Sequence, residues 1–142
     1  MTDTVIYHNP RCSTSRTTLG LIRNAGVEPQ IIEYLKAPLT RDELRDLIKR
    51  AGLTPRQVIR AKESLYRELK LDGPAVSDDQ LLDAMVTHPV LIERPLVVTA
   101  KGVRLCRPSE AVIDLLPPQR GAFAREDGTP LIDAKGQVIN HK

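Results

Sequence analysis

Tryptophan is absent from this 142-residue chain, phenylalanine occurs once and tyrosine three times. Its core must therefore be built mainly from Leu, Ile, Val and Ala. A chain of about 150 residues buries roughly 68 to 70% of the surface its unfolded form exposes, so neither a metal nor a disulfide is needed to hold it together. Two cysteines are too few for a disulfide-stapled miniprotein. No apolar run approaches the roughly 18 residues of a membrane-spanning helix, so no membrane partner is expected. Met1-Thr2-Asp3-Thr4 shows no basic leader ahead of a long hydrophobic region, which points to the cytoplasm and to Cys12 and Cys106 as free thiols. Lys and Arg number 21 against 18 Asp and Glu, and the resulting +3 is too mild for the dense basic face of a nucleic-acid binder.

What is present alternates in period. Thr4-Val5-Ile6-Tyr7-His8 reads as a buried strand stopped by Asn9-Pro10. Thr18, Leu19, Ile22 and Ala25 recur at helical spacing, with Gly26 as the stop. Gln30-Ile31-Ile32-Glu33-Tyr34-Leu35 reads as a second buried strand, parallel to the first by the usual crossover rule. Thr40-Arg41-Asp42-Glu43 and Ser77-Asp78-Asp79-Gln80 are capping boxes, and Thr54-Pro55 pairs an N-cap with a first-turn proline. Residues 40–88 thus form a mostly helical block.

Strand character returns at Leu96-Val97-Val98-Thr99, and Ala100-Lys101-Gly102 can turn it into Val103-Arg104-Leu105-Cys106 as an antiparallel hairpin. Ser109 is placed to cap a final helix that Pro117-Pro118 ends. The order predicts an α/β, thioredoxin-like fold: a mixed sheet flanked by helices, with a mostly helical insertion between the second and third strands. Residues 1–118 are read as one domain carrying that insertion, and 119–142 as a loosely attached tail.

Cys12 follows the first strand and opens the first helix, where free backbone N–H groups and the helix dipole favour a thiolate. The plain alternative is a small buried hydrophobe. His8 four residues back, Arg11 and Arg16 on either side, and the hydroxyls of Ser13, Thr14 and Ser15 favour the nucleophile. Ser15 stands where a Cys-x-x-Cys dithiol would need its second thiol, and Thr18 stands where the phosphatase pattern needs Arg. No Cys or His spacing resembles a metal knuckle, so no metal is expected, and His88 and His141 read as surface or cap residues. Arg94 before Pro95 is a candidate cis junction leading into a strand, Arg107 before Pro108 lies beyond the hairpin, and Arg60 ends a short helix. Each Arg taken singly is also an ordinary surface cation.

Together, Ile6 to Arg16, Ile59-Arg60, His88 to Pro95 and Leu105 to Ser109 make the chain resemble the glutathione- and glutaredoxin-dependent arsenate reductases, the ArsC family of the thioredoxin-like class. Gly121-Ala122-Phe123 and Glu126-Asp127-Gly128 resemble its longer members. The resemblance implies that Cys12 is the nucleophile, that Arg60, Arg94 and Arg107 hold the arsenate oxyanion and stabilise the transition state, and that His8 and Ser15 help keep the thiol ionised. It implies arsenate as substrate and arsenite as product. Glutathione would be co-substrate and glutaredoxin the reducing partner, with no cofactor bound.

Ser13 departs from members that carry Gly there, for which only a local change in hydrogen bonding is expected. Cys106 is read as a buried hairpin residue, with an internal resolving thiol as the alternative. The rival readings are a thiol-stress regulator of the same fold that binds RNA polymerase, and a thiol transferase acting on another substrate. The missing Cys-x-x-Cys disfavours the regulator.

Overall fold

A computed structural model of the chain describes residues 3–139. It divides into two compact units, the first made of the residues up to Glu33 with those from Arg94 onward, the second of Tyr34–Glu93. Among the described residues no helix is long and apolar enough to cross a membrane.

The first unit is an α/β, thioredoxin-like arrangement. It contains β1 (Val5–Tyr7), α1 (Ser13–Asn24), β2 (Gln30–Ile32), β3 (Leu96–Thr99), β4 (Gly102–Leu105) and a 3₁₀ helix over Ser109–Leu115, followed by β5 (Phe123–Ala124) and β6 (Pro130–Ile132). The mixed sheet runs in the order β2-β1-β3-β4, with β1 parallel to β2 and antiparallel to β3. Its apolar faces meet α1 and the later segments in a core of Ile6, Leu21, Ile22, Val97, Val112 and Leu131. Helix α1 ends in a Schellman motif: Gly26, at φ +81°, donates to Arg23 O, and Val27 donates to Ile22 O.

The second unit holds α2 (Arg41–Arg50), α3 (Pro55–Val58), α4 (Ser64–Glu68), α5 (Asp78–Thr87) and a 3₁₀ turn over Pro89–Leu91. Thr40 and Ser77 form the two expected capping boxes, each hydroxyl accepting from the third residue's N–H while that residue's side chain accepts in return. At Thr54, Gln57 Oε1 accepts from the backbone N–H at 2.9 Å.

Four expectations change. Strand β2 is not buried: it is an edge strand, and Ile31 is 37% exposed because only β1 pairs with it. The last helical segment is 3₁₀ rather than α, begins at Ser109, and contains adjacent β-branched Val112 and Ile113, which lose χ1 freedom in a regular α-helix. Ser109 makes no cap, because its hydroxyl donates to Thr14 O at 3.0 Å.

Residues 119–139 are not a loose tail. Leu131 and Ile132 are each 1% exposed in the core, and β5 pairs with β6. The segment runs along one face of α1 in reverse order. Asn24 Nδ2 donates to Gln119 Oε1 and Gly121 O at 2.7 and 2.9 Å. One turn earlier, a methyl group on Gly20 would fall 2.5 Å from Phe123 Cζ, so only glycine admits that ring without a shift. One turn earlier again, Arg16 meets Glu126. These contacts recur every four residues, the spacing that aligns side chains on one helix face.

Candidate active site

The end of β1 delivers the chain into a tight loop. Arg11 N–H donates to Asn9 Oδ1, Cys12 N–H donates to Asn9 O, both at 3.0 Å, and Arg16 N–H then donates to Cys12 O as the first full helical bond. Cys12 is the N-cap of α1, in extended conformation (φ −98°, ψ 120°), and its side chain makes no cap hydrogen bond. The sulfur therefore sits ahead of the unpaired N–H groups of the first helical turn, and the residue is 8% exposed.

Strand register brings the arginines of the hairpin to that loop. Leu96 pairs with Leu105 and Tyr7 with Leu96, so the start of β3, the end of β4 and the end of β1 share one edge of the sheet. Arg94 and Arg107 lie two residues outside the Leu96–Leu105 pair, each before a cis proline. Cys106 N–H donates to Pro95 O at 2.9 Å and closes the hairpin mouth. From there Arg107 Nη1 donates to Arg94 O at 3.1 Å and lies 3.9 Å from Cys12 Sγ. The structure thus brings Arg107 to Cys12, and links Arg94 to Arg107 through the Arg94 carbonyl. Arg60 belongs to the second unit, where Glu63 holds its Nε at 3.0 Å and Glu93 lies 3.8 Å from its Nη1.

His8 and Ser15 form a buried pair behind the loop. His8 Nδ1 lies 2.6 Å from Ser15 Oγ, which also accepts from Asn9 N–H at 3.1 Å. Burial lowers the His8 pKa below the usual imidazole value, Glu33 opposes that shift, and Arg16 and Arg23 add to it. A neutral imidazole braces the loop by hydrogen bonding rather than by charge.

Arg16, which flanks the thiol in sequence, is bound by a residue 110 positions away. Its Nε and Nη2 donate to the two carboxylate oxygens of Glu126 at 2.8 and 2.9 Å, and Nη1 donates to Pro10 O at 2.7 Å. No local pattern pairs these two, and only the docking of the C-terminal segment on α1 could have found Glu126. Beside the pair, Ser13, Thr14, Thr17, Arg125, Glu126 and Asp127 line a cavity of about 260 Å³. Larger concavities, of about 310 Å³ in the second unit and about 530 Å³ beside Thr99 and Pro117, are lined by no thiol or imidazole.

Cys106 is fully buried in the core, where burial pushes its thiol up to about 12, with Arg104 acting weakly the other way. His88 stands at the C-cap of α5, and His141 lies outside the described residues. Among the described residues no group of three or more His, Cys, Asp or Glu is placed to hold a metal ion. A thiol at a helix N-terminus beside a guanidinium is an arrangement suited to nucleophilic attack on an anion, because the donors neutralise charge on both reactants.

Comparison with known proteins agrees in kind. A model described as "ArsC family" matches residues 7–115. The chain is 56% identical over 135 residues to a protein named arsenate reductase from Rhizobium meliloti, covering 94% of this chain and 96% of that one. It is 51% identical over 140 residues to a protein of the same name from Escherichia coli, covering 98% and 99%. The solved structure of an arsenate reductase from Vibrio cholerae superposes with a TM-score of 0.77 at 48% identity, over 80% of this chain and 97% of that one.

Proposed function

The chain belongs to the ArsC family, and from that premise we propose that it is an arsenate reductase whose nucleophile is Cys12. The observation that carries the reading is the Cys12 sulfur at the N-cap of α1 with the Arg107 guanidinium 3.9 Å away. Cys12 thiolate displaces one arsenate oxygen, which leaves as water after protonation, and a sulfur–arsenic(V) bond forms. Attack by an anion on an anion requires neutralising donors, and a guanidinium offers a planar fork that a Lys lacks. Arg107 and Arg94 supply such donors from the hairpin mouth, and Arg60 is assigned the same task by family resemblance.

Arsenic(V) accepts two electrons in becoming arsenite, so two thiols must be oxidised per turnover. The core position of Cys106 makes it a poor second thiol. Glutathione fills that role: arsenic leaves as arsenite with the electron pair, the two sulfurs join as a mixed disulfide, and glutaredoxin reduces it. The net change is one arsenate and two thiols to one arsenite, one disulfide and one water. His8 and Ser15 support the thiolate by holding the loop between β1 and α1, and the work is done in the cytoplasm, where reducing thiols are abundant.

The test is a coupled assay with arsenate, glutathione, glutaredoxin and NADPH recycling on wild type and Cys12→Ser. Turnover confined to the wild type is expected. Turnover retained by Cys12→Ser, or failure of arsenate to protect Cys12 from alkylation, overturns the reading and favours a transferase or a regulator.

A further inference from the structure

The C-terminal hairpin meets Arg16, in the first turns of α1, through the Glu126 carboxylate. Both Glu126 oxygens accept from the Arg16 fork, and the third guanidinium nitrogen, Nη1, donates to the carbonyl of Pro10, two residues before Cys12. Arg16 N–H donates to Cys12 O at 3.0 Å, and the charge of Cys12 is felt at the Arg16 guanidinium. We propose that Glu126 is a positioning residue for Cys12: it aims the Arg16 guanidinium onto the Pro10 carbonyl and offsets the positive field that Arg16 would otherwise exert on the sulfur. This rests on the reading of Cys12 as the nucleophile.

Several contacts hold Glu126 in place for that role. On one side of its turn Arg125 Nη2 donates to Glu110 at 2.6 Å, and on the other Asp127 accepts from Thr129 N–H at 2.9 Å. Further along α1, Phe123 on Gly20 and Gln119 on Asn24 anchor the same segment. Stability alone gives little reason for the pair. The Arg16 and Glu126 side chains are 40% and 57% exposed, and exposed pairs of this kind contribute little to folding. Its electrostatic reach is another matter, since the Arg16–Glu126 bond and the Cys12 charge both act to raise the Arg16 pKa. Around the same loop, Arg107 lies 3.9 Å from the sulfur and donates to the carbonyl of Arg94, Arg11 adjoins Cys12 in sequence, and His8 is hydrogen-bonded to Ser15. Arg125 is already matched by Glu110.

The experiment is the pH profile of Cys12 alkylation by iodoacetamide in the full chain, followed at Cys12 by peptide mass, for wild type, Glu126→Gln, Arg16→Gln and the double variant. Glu126→Gln leaves Arg16 uncompensated, and the loss of one unit charge at about 10 Å with water-like screening moves the midpoint down by about 0.3 pH unit. In the Arg16→Gln background, where no fork holds Glu126 beside the loop, the same substitution is expected to move the midpoint clearly less, with thermal midpoints nearly unchanged throughout. A midpoint that does not fall in Glu126→Gln, or a fall of the same size without Arg16, overturns the proposal. A wild type that alkylates at Cys12 yet reduces no arsenate refutes the reductase reading instead, and the alkylation cycle still decides the role of Glu126.

Discussion

Replacing Leu131 with alanine measures how firmly the C-terminal hairpin belongs to the core. Leu131 is 1% exposed and packs in the cluster that contains Ile6, Leu21, Val97 and Val112. The substitution removes three carbons' worth of apolar burial, about 2.4 kcal/mol at roughly 0.8 kcal/mol per methylene, and the cavity left behind raises the cost toward the 2–5 kcal/mol typical of buried Leu→Ala changes. With a urea slope of about 2 kcal/mol/M, a 3 kcal/mol loss lowers the unfolding midpoint by about 1.5 M. Urea titration followed by circular dichroism reads this directly. Val138→Ala is the internal control, because Val138 is 52% exposed in the same segment and its truncation is expected to cost less than about 0.5 kcal/mol. A Leu131→Ala midpoint indistinguishable from that of Val138→Ala refutes the integral-hairpin account.

The other expectations concern the site. Arg107→Ala removes the guanidinium 3.9 Å from the sulfur and is expected to lower kcat/KM for arsenate by about 10²–10³, the cost of losing one preset oxyanion donor, with Arg107→Lys recovering only part of it; an unchanged kcat/KM sinks that assignment. Cys106→Ser is expected to keep full turnover with glutathione and glutaredoxin. A thiol pushed up to about 12 is ionised to only on the order of 1 part in 10⁴ to 10⁵ near neutral pH, so loss of turnover would establish an internal resolving thiol. His8 binds its proton more weakly in the folded chain than in the unfolded one, so its contribution to stability is present above the ordinary imidazole value of about 6.5 and is lost as pH falls from there toward the lower native value. Urea midpoints measured between pH 7 and pH 5 are expected to fall less steeply for His8→Asn than for wild type, and equal slopes would contradict the shift.

The mild net charge of +3 acquires a local meaning at the site. Arg107 reaches the Cys12 sulfur, and the arginines on and beside this loop are already bonded: Arg107 to the Arg94 carbonyl, Arg16 to Glu126 and Arg125 to Glu110. The cations are held in fixed directions, which preset donors require if they are not to reorganise when charge develops on the substrate.

Sequence alone determined most of what depends on neighbours within a few positions. The capping boxes at Thr40 and Ser77, the glycine stop at Gly26, the β1–loop–α1 unit that makes Cys12 an N-cap, and the β3–β4 hairpin all follow from short-range hydrogen bonding and period. Tertiary structure decided what depends on which surfaces meet. An isoleucine pair reads as a buried strand until the sheet order leaves β2 at an edge, and a sparse Gly- and charge-rich segment reads as a tail until Leu131 and Ile132 find the core. The Cys12–Arg107 contact spans 95 positions and the Arg16–Glu126 pair 110, distances at which no local pattern records the partner. Local propensity acts through the nearest few residues, whereas burial and ion pairing are settled only when the chain has folded back on itself, and that is where the chemistry of this site resides.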